Sequence, residues 1–160
     1  MKQGLVRLGA AAIALAGLTF GAASLASPSG GTTGRSVQIV HLVAMTTEQN
    51  FLDLGDTGLS LGDQFVFHDD LLRDGTRIGA DGGVCSVISP TRGMFQCAVT
   101  FSLPGGRITS QGLIAHSPGT NATFVFAVTG GTDSYSKVAG EVTMVQSINE
   151  SALVTLRLTQ

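Results

Sequence analysis

Tryptophan is absent from this 160-residue chain, and charge is scarce at 12% of residues with a net of −2. That balance gives nucleic acid or an anionic membrane surface no electrostatic hold. No segment shows a convincing amphipathic helical period. Asp53, Asp56 and Asp63 lie in a glycine-rich acidic stretch that lacks the spacing of an EF-hand, so no metal site is expected. The run Thr129–Asp133 has two glycines but neither the lysine nor the following helix of a phosphate loop. No cofactor is expected.

The amino-terminal segment is a targeting signal in its composition. Lys2 and Arg7 precede an uncharged run from Leu8 to Ala23, and Ser24-Leu25-Ala26 offers small residues to a signal peptidase. The run falls short of the about 20 residues that a spanning helix needs. No cysteine follows it and no Arg-Arg pair precedes it, against a lipoprotein anchor and twin-arginine export. The expected organisation is a secretory signal over 1–26, a flexible tether over 27–35 and one domain over 36–160. Cleavage would remove Lys2 and Arg7, take the net charge from −2 to −4 and leave a secreted protein with no membrane anchor.

What the chain does contain is glycine, 22 residues without a collagen period, between short apolar runs. Val37–Met45 is rich in β-branched residues and reads as a strand. Glu48–Ser60 reads as a polar connection, which Phe51, Leu52 and Leu54 could pin to the body. From Gly62 to Asp70 the pattern alternates, with Asp63, Phe65, Phe67 and Asp69 on one face. Asp74-Gly75 marks a turn. Arg77–Ile88 is the next strand, where Gly79, Gly82 and Gly83 suggest a bulge or a sharp coil. Met94–Leu103, Arg107–Ala115, Ala122–Val128, Val138–Ser147 and Ala152–Thr159 complete about eight strands with short links. Such strands pair antiparallel. An all-β, eight-stranded up-and-down barrel closes its own edges and suits the pattern, with a sandwich as the alternative.

Two cysteines behind an export signal imply a disulfide. If Ser89–Gly93 is a loop and Ile88 faces Met94, counting back sets Cys85 opposite Cys97. Opposed Cα atoms lie about 4.5–5.5 Å apart, within disulfide reach.

Four patches then carry a family resemblance that spans most of the chain beyond the signal. Leu61-Gly62-Asp63 with Phe67–Leu71 is similar to an early strand of the allene oxide cyclase and dirigent barrels. Arg77-Ile78-Gly79 followed by Gly83–Ile88 resembles the cyclase pattern R-L-G, then G-L-C-V-L-I. Gly106–Gly112 resembles its G-x-I-x-x-Q-G strand. Phe126–Thr132, Tyr135 and Gly140-Glu141-Val142 resemble a glycine-rich turn common to both families. The resemblance implies an eight-stranded barrel with a cavity at one end. It also leaves open a homo-oligomer, trimer or dimer. The implied partner is a hydrophobic small molecule, and the implied activity is isomerase-like steering of a cyclisation or coupling; the alternative is a non-catalytic secreted binding or structural module on the same barrel. Asp69 stands where the cyclases place a pocket Asn, and Cys85 matches their Cys. Their first-strand glutamate has no counterpart in Val37–Met45, and the dirigent arginines are replaced by Ala80 and Ala139.

The pocket candidates are therefore His41, Phe65, Phe67 and Asp69. Asp69 beside two phenylalanines would be a carboxyl in an apolar pocket with a raised pKa, able to act as acid or base. Its plainer reading is a turn-initiating Asp. His41 sits among Val and Leu, where a satisfied core or interface histidine is the plainer reading. Asp63 is expected to bond locally beside Gly62. Asn121 and Asn149 begin glycosylation patterns that matter only in a eukaryote. No residue is singled out as catalytic.

Overall fold

A computed structural model describes residues 35–115, 122–146 and 151–160. The expected signal, almost all of the tether, and Asn121 and Asn149 lie outside the described residues. Eight antiparallel strands form a closed barrel in sequence order, with the first strand hydrogen-bonded to the last. They are β1 (Val37–Leu52), β2 (Gln64–Arg73), β3 (Thr76–Ser89), β4 (Met94–Leu103), β5 (Gly106–Ala115), β6 (Ala122–Gly131), β7 (Ala139–Gln146) and β8 (Ser151–Thr159).

Turn chemistry sets the tight hairpins at one end. Asp74 and Gly75 both take positive φ, at 50° and 76°, between the paired Arg73 and Thr76. A two-residue loop of that kind matches strand twist and favours the Asp-Gly sequence. Pro104-Gly105 joins β4 to β5, with Gly105 at φ 97°. Proline fixes the first turn position and glycine tolerates the second. At the opposite end the β1–β2 connection is longer. Asp63 organises it by accepting hydrogen bonds from the backbone N–H groups of Leu54 (2.9 Å) and Ser60 (2.6 Å). Those donors hold its carboxyl below the usual range. The local role expected of Asp63 is what the structure shows.

Alternation puts Leu71, Phe101, Ile108, Val142, Leu156 and Leu158 inside, all fully buried. They fill the hairpin end of the barrel.

Several boundaries and registers differ from the sequence reading. β1 does not stop at Met45 but continues to Leu52, so Glu48–Leu52 are strand rather than connection. The register shifts between Thr46 and Glu48. This bulge reverses the parity of the strand: Thr46 faces in, and so do Gln49 and Phe51. The β3 register shifts beside Gly79, between Leu71 and Leu72 of its partner, while Gly82 and Gly83 pair without interruption. Gly130 and Gly131 belong to β6, where a shift opposite Thr109 and Ser110 absorbs Thr129. Ile88 does not face Met94; Ser89 does, across a shift next to a 3-10 turn at Pro90–Arg92.

Candidate functional site

The end opposite the tight hairpins is hollow. A cavity of about 360 Å3 opens there, toward the lower end of the roughly 300–1,000 Å3 typical of ligand pockets. Its walls are Phe65, Phe67, Phe95, Phe124 and Phe126, with Val99, Ile114 and Met144 between them and Gln49 and Gln146 among the polar lining residues. Phe51 and Leu59 line it from the β1–β2 side.

Glycines make room for the rings. A Cβ on Gly83 would lie 2.9 Å from Phe67 Cζ and 2.6 Å from the Ala98 carbonyl oxygen. A Cβ on Gly112 would lie 2.9 Å from Phe126 Cδ1. Each inward glycine thus lets a ring from the neighbouring strand lie across it. Phe65 and Phe67 stack with centroids 6.0 Å apart, within the range of favourable aromatic pairs.

The cysteines face this space. Cys85 and Cys97 are directly paired across β3 and β4, joined as a disulfide, and both line the cavity. Their Cα atoms are 4.0 Å apart, closer than in an ordinary opposed pair.

Asp69 also lines the cavity. It lies within β2, not at a turn, and is 4% exposed. Its register partner on β3 is Asp81, 2% exposed. Neither oxygen of Asp81, nor Oδ1 of Asp69, receives a donor from the protein. Two ionised carboxylates accept only; one proton makes Asp81 a donor to Asp69 and resolves the conflict. Burial pushes the Asp81 pKa up to about 8, and the charge and hydrogen bond of Asp69 add to it. The pair lies at a largely apolar chamber, which Asp69 lines. Ser110 Oγ on β5 is also buried without a partner.

The four pocket candidates divide. Phe65, Phe67 and Asp69 come together on the inner face of β2. His41 does not join them. It is exposed on the outer face, where Nδ1 meets Thr155 Oγ1 at 3.2 Å. Val40, Leu42 and Ala44 take the inner face of β1, so alternation sends His41 outward. Neither the pocket nor the core reading of His41 holds. His68 is likewise exposed, with its ring against Thr47 Oγ1 at 2.9 Å. Asp81 was not singled out from the sequence. The signal was present: with Cys85 facing in, period two also turns residue 81 inward.

Comparison with known proteins agrees with this architecture. Residues 40–156 match the allene oxide cyclase barrel-like domain. The chain belongs to this family. Among solved structures, this allene oxide cyclase-like barrel is 32% identical to a pyocyanin demethylase, with a TM-score of 0.68 over 76% of this chain and 100% of that one. A pterocarpan synthase dirigent protein is 14% identical, with a TM-score of 0.63 over 84% of this chain and 94% of that one. A Diels-Alderase from Streptomyces koyangensis is 16% identical, with a TM-score of 0.62 over 78% of this chain and 63% of that one. The last two likenesses speak to the barrel fold alone. No curated protein sequence matches the chain.

Proposed function

We propose that this barrel is an enzyme that binds a small, flat, hydrophobic molecule in the phenylalanine-lined cavity. The Asp69–Asp81 pair moves a proton to or from that molecule. The observation that carries this reading is a buried carboxyl pair with no recorded donor to either Asp81 oxygen or to Asp69 Oδ1, at a largely apolar chamber. A barrel that served only as a binding module would gain nothing from it, because a buried polar group without a partner costs about 1–3 kcal/mol. The walls hold the substrate near its reactive geometry, and the proton held by Asp81 serves acid–base work near neutral pH. The 32% identity to a pyocyanin demethylase supports an aromatic substrate. Membership of the allene oxide cyclase-like family and the open apolar chamber support cyclisation or coupling as the kind of reaction steered.

Export is part of the same reading. The leader-like composition of residues 1–26 supports it, and so does a disulfide, which persists in an oxidising compartment. Assembly with further copies is supported by exposed Val125, Val145, Leu153 and Met45 on the successive strands β6, β7, β8 and β1.

The test is native mass spectrometry of the protein from its own host, organic extraction of what it carries, and incubation with pyocyanin. The expected result is a co-purifying hydrophobic molecule, or a pyocyanin product whose formation falls about 10²–10⁴-fold in Asp69→Asn. An empty protein that leaves pyocyanin unbound and unchanged would overturn the proposal.

A further inference from the structure

We propose that the cavity selects an aromatic cation, a flat apolar ring system with one delocalised positive charge seated beside Asp69. This deepens the reading of the cavity as a ligand site and rests on it.

Three observations point the same way. First, among the described residues Asp69 is the one ionisable side chain lining the cavity, and no Lys, Arg or His lines it. Among those residues a single negative charge is the chamber's electrostatic preference. Second, that charge has no counter-ion of its own. Arg77, on the neighbouring strand, is on the outer face, with Nε 2.6 Å from Asp70 Oδ1. Asp69 is 4% exposed, and its Oδ1 has no donor. A buried carboxylate whose only partner is a second carboxyl is costly, and a cation from the ligand would relieve it. Third, six phenylalanines line the wall, and the faces of such rings attract cations. A compact ion such as ammonium would lose its hydration shell against those rings. A delocalised ring cation is weakly hydrated and loses little, as the planar guanidinium does relative to an ammonium. An anion would meet Asp69 with like charge, and a neutral ring would bring it no counter-charge.

The preference should strengthen as Asp81 ionises, because the pair then carries two negative charges. The groups facing Asp81 limit what else could titrate. From β2 these are Phe67, Asp69 and Leu71, and from β4 Val99, Phe101 and Leu103. The buried inward residues of β1, β5, β6, β7 and β8 are apolar apart from Ser110. His68 and Arg77 are exposed on the other side of the sheet, and Asp70 beside them is bound to Arg77. Asp69 is thus the only other titratable group facing Asp81 among the described residues.

The experiment compares two dyes of nearly equal shape, 10-methylacridinium and neutral acridine, by fluorescence titration of the full protein. It is run near pH 9, about one unit above the value of about 8 for Asp81, and again near pH 7. The expected result is an affinity about tenfold or more higher for the cation, a typical effect of one charge-assisted contact. That ratio should shrink near pH 7 and vanish in Asp69→Asn/Asp81→Asn. Phe65→Ala should weaken both dyes, which places them in the cavity. Equal affinity for the two dyes in the unmodified protein would overturn the cation preference and leave the cavity reading standing. Binding of neither dye would overturn both.

Discussion

The two ends of the barrel are built from the same alternating strands, yet one is filled and the other is hollow. At the hairpin end, Leu71, Phe101, Ile108, Leu156 and Leu158 meet across the axis and exclude solvent. At the mouth, the inward residues are as large, but six phenylalanines line a chamber. Volume does not separate the two ends. Gly83 and Gly112 stand where a Cβ would meet the Phe67 and Phe126 rings, so these rings can pack against the neighbouring strands. Between the two regions sit Asp69 and Asp81, where burial is nearly complete but the cavity is still in reach. That placement explains how a carboxyl pair can be both dry and accessible to a ligand.

The sharpest way to break this contrast is to truncate one aromatic at each end. Phe101→Ala should cost about 3–5 kcal/mol, the usual cost of emptying a packed core position. Phe65→Ala should cost clearly less, because Phe65 already borders empty space, while ligand binding is lost. Urea unfolding of both variants checks this; equal losses would mean that the mouth is as tightly packed as the hairpin end.

The carboxyl pair between the two ends should give a pH signature. In the fold Asp81 holds its proton up to about pH 8, against the ordinary 3.8 of an unperturbed Asp. Across that window the unfolded chain binds fewer protons, so stability falls as pH rises. Below about 3.8 the contribution is complete. Asp63 acts in the opposite sense: its lowered pKa gives a contribution that is present above 3.8 and lost as pH falls. Asp81→Asn should flatten the fall between about pH 4 and pH 8. At about pH 9 it should add stability of a few kcal/mol, at about 1.4 kcal/mol for each pH unit over which the proton is held. Thermal melts across pH read this, and an unchanged slope would show that Asp81 does not carry the proton.

The smallest of the three effects concerns the mouth alone. Cys85→Ser with Cys97→Ser should cost about 2–3 kcal/mol, as expected for a cross-link closing a short loop. The hairpin end should be untouched. Hydrogen exchange would show the loss confined to the mouth halves of β3 and β4; uniform deprotection would mean that the two ends are not separable.

The eight strands, the Asp-Gly and Pro-Gly turns and the Cys85–Cys97 pairing follow from the sequence, because each rests on neighbours in the chain. Period-two alternation put Phe65, Phe67 and Asp69 on one face, and the turn residues need particular φ values wherever they occur. The tertiary structure decided what parity and closure decide. The bulge after Thr46 turns Gln49 and Phe51 into the cavity, and no local pattern announces it. His41 went to the outer face because closure fixed the core side of β1. Asp81 lay in a glycine-broken run, and its importance appeared only when hydrogen-bonded register set it against Asp69. A side chain's face is a property of the strand, but its partner is a property of the sheet.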